Sequence, residues 1–124
     1  MRKKLPADRE SITRRFVLTW PNGDTFRFYV TVGLYEDGTP GEIFFSSDKT
    51  GQFASSMLRA LAMAASIALQ YGAPVEKIIQ QWRGTSFPPE GFTGDEFRMC
   101  RSPLDLVAKW LTATFLVSIH KPSS

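Results

Sequence analysis

The chain has 124 residues, 43% hydrophobic and 22% charged, which fits one domain with an ordinary core and excludes a disordered tail. A net charge of +3 and a pI near 9.2 are too small an excess to argue for nucleic acid alone. A single cysteine, Cys100, excludes an intrachain disulfide, and with the lone His120 it supplies too few ligands for a structural metal.

Residues 1–10 form a basic arm carrying Arg2, Lys3, Lys4 and Arg9. It is charged with no apolar stretch behind it, so no secretory signal is expected. The longest apolar run, residues 60–69, is too short to cross a bilayer. These features predict a cytoplasmic protein without a membrane partner.

From residue 12 to 20, Ile12, Phe16, Leu18 and Trp20 alternate with Thr13, Arg15, Val17 and Thr19, the pattern of a half-buried strand. Asn22-Gly23 supplies a tight turn. A second strand spans 25–35, with Phe26, Phe28, Val30 and Val32 on one face and Arg27, Tyr29 and Thr31 on the other. A turn at 36–41 leads to a third strand at 42–46. Residues 52–71 then read as an alanine-rich helix, apolar nearly all round, with Ser47 or Asp48 to cap it and Gly72 past its end. Full burial of such a helix in a short chain predicts a homo-oligomer through residues 52–71. Pro74 opens another helix bearing Val75, Ile78, Ile79 and Trp82, ended by Gly84. A long loop follows. Ser102, Pro103 and Asp105 then start a last helix, with Leu104, Val107, Leu111 and Phe115 on one face. The expected fold is α+β: an antiparallel three-stranded meander packed on one face by about three helices, in the order β-β-β-α-α-loop-α.

No Ser/His/Asp set exists, Cys100 has no histidine in view, and no spacing selects a pair among Asp37, Glu42, Glu90, Asp95 and Glu96. No phosphate-loop or dinucleotide fingerprint is present. A non-enzymatic protein without a cofactor is expected. Binding features are better marked. Lys49 and Thr50 lie where a strand runs into a helix N-terminus, a place that attracts anions or is simply a capped start. Arg59 interrupts the apolar helix; if buried it needs an anion, either Glu42 or a ligand phosphate. In the loop, Phe87, Phe92 and Phe97 can stack on a base while Arg83, Arg98 and Arg101 reach phosphates, or the phenylalanines fold back onto the core. The two readings agree if one phenylalanine points outward.

The stretches LPADRESITRRF, YVTVGLYEDGTPGEIFF, ALQYGAPVEKIIQQWRGTSFPPEGFT and CRSPLDLVAKWL, in this order over residues 5–112, resemble the TSCPD domain. That domain is found near the C-terminus of cobalamin-dependent ribonucleotide reductases and as small stand-alone proteins. Where the family spells Thr-Ser-Cys-Pro-Asp, this chain has Arg101, Ser102, Pro103, Leu104 and Asp105. Only Ser102 and Asp105 match, which puts a thiol role in doubt. One domain is expected over residues 5–119, with a frayed tail at 120–124, and the resemblance offers no catalytic residues. It also accounts in part for the long loop, as a segment of the family fold, but not for its arginines.

Two functions follow as expectations. One is a binding protein for a nucleotide-type small molecule, with Lys49, Thr50, Arg59, Arg83, Phe87, Phe92, Arg98 and Arg101 as its site. By analogy only, it would sequester a cyclic nucleotide as small phage anti-defence proteins do. The alternative is an accessory module that docks on a ribonucleotide reductase through the exposed sheet face and the basic arm. A third idea, single-stranded nucleic-acid binding, would use Arg14, Arg15, Arg27 and Tyr29 together on the sheet.

Overall fold

Strands Ser11–Thr19 (β1), Thr25–Leu34 (β2) and Pro40–Ser47 (β3) pair antiparallel in the computed structural model, which describes residues 1–21, 23–47, 53–87, 90–95 and 97–116. Their alternation fixes the register: Phe16 lies opposite Phe28, and Val30 opposite Phe45. At the first turn Gly23 adopts φ +94°, and Trp20 N–H donates to the Asp24 carbonyl at 2.8 Å. Asn22 lies outside the described residues.

Helices Phe53–Gln70 (α1), Val75–Trp82 (α2) and Pro103–Leu111 (α3) cover one face, and a π-type turn, Thr112–Leu116, extends the last. Phe16, Phe28 and Phe45 stack in sequence at 5.4 and 5.7 Å, and Trp110 meets Phe16 edge-on at 5.7 Å. Removing a buried ring of this kind costs ~3–5 kcal/mol. The expected α+β meander and its three helices are present, with one addition. The long loop contains two short strands, Gly91–Phe92 (β4) and Met99–Cys100 (β5), and the sheet has five strands in the order β3-β2-β1-β4-β5.

Helix α1 differs from expectation. Leu58, Ala62, Ala65 and Leu69 are buried, while Phe53, Met57, Met63, Ile67 and Tyr71 are exposed. It is therefore half covered, not buried all round. Among the described residues nothing covers the outer stripe, the surface that the expected oligomer through residues 52–71 would use. The inner side of α1 also closes the free edge of the sheet. Ser66 Oγ accepts from Ile43 N–H at 2.8 Å and lies 3.1 Å from the Ile43 carbonyl, and Gln70 Nε2 donates to the Gly41 carbonyl at 3.0 Å. The opposite edge is closed too, since Lys109 Nζ donates to the Met99 carbonyl at 2.8 Å and Phe87 N–H to that of Arg101 at 3.2 Å.

The basic arm is tied down. Lys3 N–H donates to the Gln70 carbonyl at 2.7 Å and Arg2 Nε to Gln70 Oε1 at 2.7 Å. Arg9 holds Glu42 with two bonds, at 2.5 and 3.1 Å. The Glu42 carboxylate folds over Gly33, where a Cβ would meet Oε2 at 2.1 Å.

Candidate functional site

The residues expected to form a nucleotide site are only partly described. Lys49 and Thr50 lie outside the described residues, as do Asp48, Pro88, Pro89 and Glu96. Arg59 is exposed, so it does not need the buried anion expected of it, and Glu42 is paired with Arg9 instead. The sequence reading failed here because α1 has an exposed side, on which an arginine is ordinary. Arg83, Arg98 and Arg101 are also exposed. Phe97 is buried, Phe87 packs against the core, and Phe92 is 51% exposed. One phenylalanine thus points outward while two close the core.

The arginine-rich segment is organised by two carboxylates. Asp95 accepts from Thr93 Oγ1 at 2.5 Å, Phe97 N–H at 3.0 Å and Arg14 Nη2 at 3.1 Å. Burial pushes its pKa up, but these hydrogen bonds and the arginine outweigh that and hold it below the ordinary range. The turn they fix places Arg98 at φ +55°, uncommon for a residue with a side chain. Asp105 is buried and accepts from Gly84 N–H at 2.8 Å and Arg101 N–H at 3.0 Å. Ser102 caps α3 by accepting Asp105 N–H at 3.0 Å. Ser102 and Asp105, the two positions shared with the family signature, are therefore structural. Cys100 is buried, and burial pushes its thiol up to about 11, so it is not an activated nucleophile.

The four residues proposed for nucleic acid split across the sheet. Arg14 lies on the core side, its guanidinium 5.3 Å from the Phe16 ring and 5.1 Å from that of Phe97. Arg15, Arg27 and Tyr29 lie on the outer face. A cleft of about 770 Å3 beside Tyr35, Leu69 and Phe115 contains none of the expected site residues. Among the described residues no cluster of three or more His, Cys, Asp or Glu side chains can hold a metal. No described helix is long and apolar enough to cross a membrane.

What remains is the uncovered side of the sheet. Register sets its rows: Met99, Phe92, Thr19 and Thr25 in one, then Val17 and Arg27, then Arg15, Tyr29 and Ser46, then Thr13, Thr31 and Phe44. Tyr29, Phe44, Phe92 and Met99 are each 41–51% exposed. The sequence reading missed Phe44 and Met99. Phe44 was detectable, because it alternates with buried Ile43 and Phe45; Met99 was not, because its strand has two residues. A bare antiparallel face is ordinary; this one bears large apolar side chains beside arginines.

Fold and face together define a small α+β module with one side of its sheet exposed. The chain belongs to the TSCPD domain family, whose model matches residues 2–115. It is 38% identical over 116 residues to a vitamin B12-dependent ribonucleotide reductase of Rhodopirellula baltica, covering 93% of this chain and 11% of that protein. The corresponding reductase of Streptantibioticus cattleyicolor is 34% identical over 117 residues, covering 94% of this chain and 19% of that protein. That of Agrobacterium fabrum is 32% identical, covering 93% and 9%. The chain thus spans a fifth or less of the length of these relatives. No solved structure matches it significantly.

Proposed function

We propose that this chain is an interaction module of a B12-dependent ribonucleotide reductase, docking through the outer face of its sheet. The observation that carries the reading is the match itself: almost the whole chain corresponds to one small segment of much larger reductases. The outer face supports this, since Tyr29, Phe44, Phe92 and Met99 offer apolar area, and Arg15 and Arg27 have no ion-pair partner among the described residues. The nucleotide-binding reading has no comparable support from the relatives, which are reductases.

The test is binding of the chain to the Rhodopirellula baltica reductase from which the matching segment has been removed. Binding is expected by interferometry. Phe44→Asp and Tyr29→Asp should weaken it at least tenfold with unchanged thermal melting. Absence of binding to the trimmed reductase would overturn the reading.

A further inference from the structure

The outward side of α1 is apolar where a surface helix ordinarily carries charge. Phe53, Met57, Ala60, Ala64, Ile67 and Tyr71 are all exposed, and they recur at steps of four, three, four, three and four residues. That is the two-in-seven seam by which one helix packs along another. Tyr71 N–H donates to the Ile67 carbonyl at 3.0 Å, so the last of them continues the helical turn. The seam holds no charged residue. Arg59, the single charge in α1, sits at its margin, near the exposed flanking residues Ser56 and Met63. The seam also reads alike from either end. About Ala62 at its middle, Phe53 is matched by Tyr71, Met57 by Ile67 and Ala60 by Ala64. Side chains grow from alanine at the centre to an aromatic ring at each end. Two helices that cross at a shallow angle are closest at the crossing and diverge from it, so small residues suit the centre and large ones the ends.

We infer that this seam packs against its own copy, forming a two-fold dimer through antiparallel α1 helices that cross at Ala60 and Ala64. A two-fold interface uses one patch twice, so each residue must suit the one it meets in the other copy. Antiparallel pairing about Ala62 sets Phe53 on the partner's Tyr71, Met57 on the partner's Ile67 and Ala60 on the partner's Ala64. The aromatic pair contributes beyond its buried area. The alanines let the axes approach to roughly 8 Å, and the helix dipoles oppose instead of aligning. Phe53, Met57, Met63, Ile67 and Tyr71 are 42–81% exposed. Side chains of roughly 200 Å2 at that exposure offer ~600 Å2 per copy and ~1,200 Å2 for the pair, the lower bound of a specific interface. A seam without charge gives an unrelated partner little to be selected by, whereas its reversed copy matches it position by position. It shares no residue with the outer face of the sheet, so the inference stands apart from the docking reading.

Sedimentation of the full chain over a range of concentrations tests this. A reversible dimer, twice the 13.9 kDa of one chain, is expected at ~100 μM. Ala64→Glu and Met57→Lys each put a charge into the seam at an exposed position, with residues that favour helix. Each should weaken dimerisation at least tenfold while the thermal melting of the dilute chain is unchanged. Ile67→Glu serves if either variant melts early. Met57→Lys combined with Ile67→Glu should restore dimerisation, since each introduced charge then meets its opposite in the other copy. A parallel pair would set like charges together and stay apart. Phe44→Asp and Tyr29→Asp should leave the dimer intact, so loss of the dimer and loss of reductase binding are separate results. A chain that stays monomeric up to about 1 mM overturns the inference. So does a dimer that both single variants leave intact, and so does failure of the paired charges to restore what the single ones remove. Should Ala64→Glu instead abolish binding of a monomeric chain to the trimmed reductase, the seam belongs to the reductase and the inference is overturned.

Discussion

The carboxylate of Asp105 accepts the amide proton of Gly84 at 2.8 Å, joining the end of α2 to the start of α3. Its second oxygen accepts Arg101 N–H at 3.0 Å, bringing in the end of β5. Burial raises its pKa, yet the hydrogen bonds and Lys109 prevail and hold it below the ordinary carboxylate range. A carboxylate shifted in this direction contributes stability that is complete above the unfolded value of ~3.9 and lost as pH falls through the lower folded value. Asp105→Ala should cost ~2–4 kcal/mol at neutral pH, because two amides lose a charged acceptor. Asp105→Asn should be less stable at neutral pH but show a shallower loss below pH ~4. Thermal melts from pH 2 to 7 read both effects.

Ser66 is a polar residue buried in α1, and its hydroxyl is the partner of the Ile43 amide. Ser66→Ala keeps the helix and strands that amide at the sheet edge, at ~1–3 kcal/mol. The loss should appear in urea titrations, together with faster exchange of Ile43 N–H.

Gly91 packs directly on β1. A Cβ there would meet the Thr19 carbonyl oxygen at 2.3 Å, and this obstacle is backbone. Gly91→Ala should cost ~1–3 kcal/mol, the range for forced overpacking. It should also displace the β4–β5 hairpin, visible as shifted resonances at Phe92 and Met99, while β2 and β3 are unaffected.

Cys100 is the single cysteine, so its reactivity can be read without interference. With the thiol buried and its pKa pushed up to about 11, the folded protein should not react with a thiol reagent at pH 8. Full reaction is expected in denaturant. Prompt labelling of the native protein would contradict its placement.

The three long strands were readable because alternation is a local signal: Phe16, Leu18, Phe28 and Val30 repeat at the strand period, and Gly23 marks the turn. The Ser102-Pro103-Asp105 start of α3 was readable for the same reason. β4 and β5 were not, since two residues carry no period and the pairing of Phe92 with Thr19 bridges distant parts of the chain. Nor did the sequence reveal that Arg14 lies over two buried rings, or that Gln70 anchors the arm, because both depend on segments brought together only by folding. The expected ligand site is limited at the same level: residue types suited to phosphate and base are present in the sequence, but their convergence is a tertiary property.

The β4–β5 hairpin is held to the rest of the sheet by a single cross-strand pair, Thr19 with Phe92. Native proteins open piecewise, and the units with fewest bonds open first. The hairpin is not such a unit: Phe97 and Cys100 are buried in the core and Asp95 pairs with Arg14, so side-chain packing, and not the ladder, binds it to the meander, and the two should melt together.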